Sequence, residues 1–199
     1  MITWRTMDPE LELDEIYETA EDTILLLRVA LQEARPDDRV LEIGCGRALI
    51  SRELAMRVKS IVATDINPVA LRFARNVGLP AVRADLFSGF KARFDLIIFN
   101  PPYLPTAPEE RSKGWINFSL DGGENGRETI FRFLEQIKNY LSPKGRSLFL
   151  VSSFSGIAEV LDKARNEGLD ISEIASARYF FEQLCVFKVE IAISGVKRQ

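Results

Sequence analysis

The chain has 199 residues, 46% of them hydrophobic and 28% charged, with 26 Lys and Arg against 29 Asp and Glu for a net charge of −3. That composition predicts an ordinary globular domain with a large core, and the near balance of charge argues against a nucleic-acid binder driven mainly by phosphate contacts. No apolar run approaches the ~18 residues of a membrane span, the start of the chain is too acidic and polar for a signal peptide, and histidine is absent.

Without histidine, His-based nucleophilic triads, His general bases and most zinc or iron sites fall away. Cys45 and Cys185 alone make neither a disulfide framework nor a ligand quartet. The expectation is a cytoplasmic protein with no membrane contact and no metal site.

Along the chain, residues 1–18 are acidic and irregular. Thr19-Ala20-Glu21-Asp22 resembles a capping box with Thr19 as the cap, opening a helix over 23–33. A strand is predicted over 39–43, then a glycine turn at 44–46 and a helix over 49–57. A second strand over 60–65 leads to Asn67 as the cap of a helix that begins with Pro68 and runs to about 76. A short third strand over 81–84 and a fourth over 94–100 follow. The stretch 101–126 holds four prolines and no clear element, and a segment of that length is usually functional or disordered. A substrate-facing lid is expected there, with Trp115 as a local packing anchor. Next come a helix near 127–141, a strand near 146–151 and a helix near 157–167. Two closing strands near 171–178 and 185–193, joined by the short connection 179–184, predict an antiparallel hairpin. Strands alternating with helices predict a mostly parallel sheet covered on both faces. The chain is expected to form one domain over 1–199, with 1–22 as the N-terminal segment and helix start and 39–199 as a Rossmann-like core.

Leu41-Glu42-Ile43-Gly44-Cys45-Gly46 is strand, glycine turn, helix, and the carboxyl ends of such strands are where open α/β sheets bind ligands. A bare G-x-G is weak evidence, but acids surround it. Glu42 lies within the motif, Asp65 ends the second strand and Asp85 follows the third. Carboxylates would repel a diphosphate cofactor, and Leu49 stands where a dinucleotide fingerprint has its third glycine. A cationic nucleoside fits better. S-adenosylmethionine carries a sulfonium, a ribose whose hydroxyls can donate to Asp65 and an adenine amine that can donate to Asp85.

Asn100-Pro101-Pro102-Tyr103 follows the apolar run 94–99. The prolines stiffen the turn, and the first restrains Asn100. The Asn100 side-chain oxygen and the Pro101 carbonyl can therefore converge as two acceptors beside the flat Tyr103 ring, an arrangement suited to gripping the –NH2 of a planar amide or an exocyclic amine.

Together, Glu42-Ile43-Gly44-Cys45-Gly46, Thr64-Asp65-Ile66-Asn67, Ala84-Asp85-Leu86-Phe87 and Asn100-Pro101-Pro102-Tyr103 resemble the class I S-adenosylmethionine-dependent methyltransferases. More narrowly they resemble the HemK/PrmC-type protein-glutamine N5-methyltransferases. Ile16-Tyr17-Glu18-Thr19-Ala20-Glu21-Asp22-Thr23, Leu120-Asp121-Gly122-Gly123-Glu124-Asn125-Gly126-Arg127 and Phe180-Phe181-Glu182-Gln183-Leu184 are similar to segments of that family's small archaeal and eukaryotic branch. Thr19 replaces a usual proline, and Ala48 sits where a third glycine is common. The resemblance spans about 16–190.

The resemblance implies a Rossmann-like sheet, mostly parallel with an antiparallel C-terminal hairpin, and S-adenosylmethionine as methyl donor with S-adenosylhomocysteine as product. Asn100, Pro101 and Tyr103 are the implied catalytic residues, and Pro102 joins them in binding substrate. Thr23, Glu42, Gly44, Gly46, Asp65, Asp85, Leu86 and Asn100 are the implied cofactor contacts, with Asp22 and Thr23 near the methionine end. The implied substrate is the glutamine of the Gly-Gly-Gln motif in a class 1 translation release factor. The implied partner is a small zinc-binding activator protein, for which the short third strand is a candidate sheet edge. Two rival readings remain open at this level: an N6-adenine or N2-guanine methyltransferase acting on RNA or DNA, and a non-catalytic S-adenosylmethionine-binding scaffold.

Overall fold

The computed structural model describes residues 15–111 and 114–192, so residues 1–14 of the predicted N-terminal segment and Ile193 of the predicted last strand lie outside the described residues. The elements are α1 (Glu21–Glu33), β1 (Arg39–Ile43), α2 (Leu49–Leu54), β2 (Ser60–Asp65), α3 (Pro68–Asn76), β3 (Ala81–Arg83), β4 (Phe94–Phe99), α4 (Trp115–Leu120), α5 (Glu128–Gln136), β5 (Leu141–Ser152), α6 (Ile157–Asn166), β6 (Leu169–Tyr179) and β7 (Glu182–Ile191).

Seven strands form one sheet in the order β3-β2-β1-β4-β5-β7-β6. The pairs from β3 to β5 are parallel, whereas β7 runs antiparallel to both β5 and β6. Strand order reverses between β1 and β4, and the cleft of an open α/β sheet lies at that switch point. Side chains alternate across the pleat. Val40, Leu96, Ile98, Leu148 and Leu150 join α1, α2 and α3 in one apolar cluster. Leu41, Ile97, Phe99, Phe149 and Val151 join α5 and α6 in the other. Burial on both faces is why these strands appear as continuous apolar runs and not as alternating patterns.

Besides the helices after β1 and after residue 127, which end at Leu54 and Gln136, short of the predicted 57 and 141, three local predictions differ from the structure. Thr19 is not the cap of α1: the helix begins at Glu21, and its N-cap is Ala20, which makes no side-chain bond. The acid of the first turn, Asp22, instead holds the Thr23 N–H at 2.5 Å and turns its carboxylate inward. The stretch 101–126 is not without structure. It carries a 3-10 turn at Pro108–Glu110, the two-turn α4 and a bridge between Leu104 and Asp121. Glu15, from outside the stretch, accepts the first N–H of α4, at Trp115, and a helix this short leaves little periodic signal. Finally, β5 starts five residues before the predicted position, because 141–145 bends through Pro143 and Gly145 and still pairs Leu141 with Phe94. Asn67 caps α3 as expected, accepting the Val69 N–H at 2.8 Å ahead of Pro68.

Candidate active site

The carboxyl ends of β1, β2 and β4, the first turn of α1 and α4 enclose a cleft of about 350 Å³. Every residue that the sequence reading assigned to a site lines it, although those residues come from separate segments between 23 and 103.

The floor is the glycine turn after β1. Gly46 has φ +50 and donates its N–H to Asp65 Oδ2 at 3.0 Å, while Asp65 Oδ1 accepts from Asn67 N at 2.8 Å. The Asp65 carboxylate therefore ties the two turns together before any ligand arrives. Burial pushes its pKa up, and the surrounding backbone N–H groups oppose the shift. Ala48, where a glycine is common, is left-handed at φ +56, so the backbone explains that preference and alanine takes the position with some strain. Leu86 is a second left-handed non-glycine residue, at φ +49, and is buried at the cleft wall.

Two acids of the cleft have partners within the chain. Glu42, expected to contact the cofactor, lines the cleft and turns its carboxylate onto Ser51, accepting the backbone N–H at 2.9 Å and the hydroxyl. It therefore holds the start of α2 against the strand. Desolvation pushes its pKa up to about 8. An unfolded glutamate loses its proton near the ordinary carboxylate value, so between the two values the folded state binds more protons and stability falls as pH rises. Glu42→Gln is expected to flatten this decline, read by urea denaturation across pH ~5 to ~8. An unchanged slope would assign the pH dependence to other groups. Asp85, the other acid, is half-exposed and paired with Arg132 Nη2 at 2.7 Å, a cation from α5 that nothing in its local sequence singles out.

The polar centre of the site is Asp22, only 2% exposed. Its Oδ2 accepts from Tyr17 Oη at 3.0 Å, Asn100 Nδ2 at 3.0 Å and Tyr103 Oη at 3.3 Å. Its Oδ1 takes the Thr23 hydroxyl at 3.2 Å. Burial and the Asp22 charge together push both tyrosine hydroxyls well above their ordinary range, so both stay protonated donors. The Tyr103 hydroxyl thus serves Asp22, in addition to the flat ring expected beside Asn100. Because the Asn100 amide nitrogen is committed to Asp22, Asn100 Oδ1 is buried with no hydrogen-bond partner among the described residues. An unpaired buried carbonyl is costly, and its natural complement is an N–H brought by a ligand. Arg47 presents a second such atom. Its Nε is buried at the cleft with no partner among the described residues, while Nη2 meets Glu18 at 3.3 Å. Tyr17, Arg47 and Arg132 were not predicted as site residues; the placement of a cation inside an acid-rich glycine turn was the available signal for Arg47.

Residues 19–113 match the family model described as the methyltransferase small domain. A Methanocaldococcus jannaschii protein assigned as a protein N5-glutamine methyltransferase is 41% identical over 179 residues, covering 86% of this chain and 90% of that protein. The human methyltransferase HEMK2 is 34% identical over 190 residues, 87% of this chain and 89% of its own. Among solved structures, the E. cuniculi Mtq2-Trm112 complex, described as responsible for methylation of the eRF1 translation termination factor, aligns with TM-score 0.74 and 28% identity over 89% of this chain and 99% of that one.

The cleft suits S-adenosylmethionine on its own evidence. Its carboxylates favour a cationic nucleoside over a diphosphate, the turn after β1 closes on Asp65, and the orphaned Asn100 oxygen stands ready for a donor beside it. The similarity to the methanogen and human relatives runs over nearly nine-tenths of the chain, and the sheet order is that of the class I fold. The chain accordingly belongs to the S-adenosylmethionine-dependent protein N5-glutamine methyltransferases.

Proposed function

We propose that the chain methylates the glutamine of the Gly-Gly-Gln motif in a class 1 translation release factor, in the cytoplasm. The observation that carries this reading is the Asn100 amide, whose nitrogen is held by Asp22 and whose oxygen is left for a substrate N–H. A glutamine side chain between glycines enters a narrow cleft at little steric cost. The E. cuniculi relative's action on eRF1 supports the same substrate class.

When bound, S-adenosylmethionine supplies a methyl group activated by its sulfonium. Asp65 would hold the ribose hydroxyls, Asp85 and Leu86 the adenine, and Thr23 with the Arg47 guanidinium the amino-acid end. Asn100 Oδ1 and the Pro101 carbonyl accept the two N–H groups of the substrate carboxamide, so the plane of the amide is set by the rigid Pro101-Pro102 turn. A carboxamide nitrogen is a weak nucleophile, and fixing it in one orientation can remove roughly 7–11 kcal/mol from a barrier. The same acceptors stabilise the positive charge that develops on nitrogen. Asp22 is saturated with donors and holds the geometry without taking the proton, which departs to water.

Asp65→Ala is expected to weaken S-adenosylmethionine about ten- to hundredfold in calorimetry, the effect of losing hydrogen bonds to a charged acceptor. Unchanged affinity would mean that the ribose lies elsewhere.

A small zinc-binding activator is the proposed partner. Among the described residues β3 ends the sheet with one edge unpaired, and its Val82 is 43% exposed, which suits strand pairing. The Mtq2-Trm112 complex of E. cuniculi supports a two-chain assembly. The test is transfer of labelled methyl groups to a release factor whose Gly-Gly-Gln glutamine is intact or changed to alanine, with the activator present and RNA and DNA as parallel acceptors. Label confined to the intact factor supports the reading; label on nucleic acid alone overturns the substrate.

A further inference from the structure

Phe180 and Phe181 form the two-residue turn between β6 and β7, with Tyr179 paired to Glu182. The turn breaks two local rules at once. Phe180 has φ +30, in the left-handed region where a two-residue hairpin favours glycine. Both rings are also exposed as fully as a side chain can be, at 106% and 93%. A backbone strain and two solvated aromatic rings at one tip are a conflict that natural sequences keep where a surface has work to do.

The topology places this tip on the catalytic rim. β7 runs antiparallel to β5 and pairs Leu184 with Ser152, at the end of β5. The turn therefore projects from the same sheet edge as Asn100 and the glycine turn. Glu182 beside it accepts the Ser152 hydroxyl at 2.7 Å, and the Gln183 N–H donates to Ser153 Oγ at 3.0 Å. Phe154, in the turn so bonded, is 45% exposed. The Glu182 charge also reaches Tyr17 and Tyr103, helping to raise both hydroxyls. A groove between α1 and β6, lined by Thr19, Ile24, Arg28 and Tyr179, connects the tip to the cleft, since Thr19 lines both. β3 lies at the other end of the sheet, six strand spacings of ~4.8 Å from β6. One bound partner of small size on β3 would leave this rim open.

We propose that the Phe180–Phe181 tip, with the groove leading from it, is the docking surface for the protein substrate, gripping an apolar patch beside the loop that carries the glutamine. The inference rests on the release-factor reading. The glutamine to be methylated arrives on a folded protein, and that protein must cover the rim around Asn100 during turnover. Two aromatic rings of this size are the kind of anchors that dominate such interfaces.

The double substitution Phe180→Gly with Phe181→Ser tests it. Glycine relieves the strained φ, so the hairpin should persist, and neither residue touches the cleft. In the full chain with its activator, KM for the intact release factor should rise about tenfold or more. The saturating kcat, the calorimetric affinity for S-adenosylmethionine and the melting temperature should stay unchanged. An unaltered KM overturns the proposal, as does a loss of cofactor affinity, which would make the tip a structural support of the cleft. A change confined to self-association would give the tip to a second copy of the chain and also overturn it. If the wild-type enzyme itself transfers no label to the factor, the substrate reading fails and takes this inference with it; that result is visible without the variant.

Discussion

Asn100→Ala is expected to lower kcat by at least about 10²- to 10³-fold while leaving S-adenosylmethionine affinity within a few-fold of wild type. The reason lies in what the side chain touches. Its nitrogen is one of three donors on Asp22 Oδ2, so Tyr17 and Tyr103 remain to hold that carboxylate when the amide is removed. Its oxygen has no partner among the described residues, so its loss removes an acceptor left free for a substrate N–H. Asn100→Asp should be as poor, for a different reason: a carboxylate cannot donate to Asp22, and two like charges at ~3 Å would rotate the group out of place or protonate it. Asp22→Asn should give an intermediate loss, since the position of Asn100 would relax while its oxygen survives. Single-turnover kinetics at saturating cofactor separate these effects from binding. Wild-type rates in Asn100→Ala would sink the amide-grip mechanism.

The largest expected effect on stability lies at the opposite edge of the sheet. Arg146 in β5 is 1% exposed. Its Nη1 donates to Asp38 Oδ1 and to the Asp95 carbonyl, each at 3.0 Å, and its Nη2 donates to Asp38 Oδ2 at 2.8 Å and to the Glu33 carbonyl. One guanidinium thus joins the last turn of α1, the approach to β1, the start of β4 and β5. A cation at a helix carboxyl end also meets the favourable end of its dipole. Arg146→Met keeps much of the volume but removes the cationic partner of Asp38, itself 4% exposed, and leaves it the Arg35 N–H. Breaking a buried pair in this way typically costs about 3–5 kcal/mol. For a chain of this size that corresponds to a fall in Tm of roughly 6–20 °C. Because these contacts sit at the amino ends of the parallel strands, kcat per folded molecule should not change. A Tm within a degree or two of wild type would mean that the guanidinium does not anchor these elements.

Most of the fold was legible in the chain because its signals are local. Apolar runs bounded by glycine turns marked β1, β2 and β4, and Asn67 with Pro68 marked the start of α3. The departures occurred where a distant group decides the local structure. Glu15 supplies the cap that lets 115–120 turn helical within a proline-rich stretch. Asp22 abandons the expected capping arrangement because three donors from Tyr17, Asn100 and Tyr103 are brought to it. β5 extends through Pro143 and Gly145 because β4 offers Leu141 a partner.

The site divides in the same way. Residue type and spacing alone determined the methyl-donor chemistry: acids around a glycine turn exclude a diphosphate, and an amide fixed by two prolines selects a planar N–H substrate. That Asp22 holds the Asn100 nitrogen, that Glu42 serves Ser51 and that Asp85 meets Arg132 was decided only in the folded chain. Hydrogen bonds across ~80 residues and the desolvation of buried carboxylates are properties of positions in space, and no local pattern encodes them.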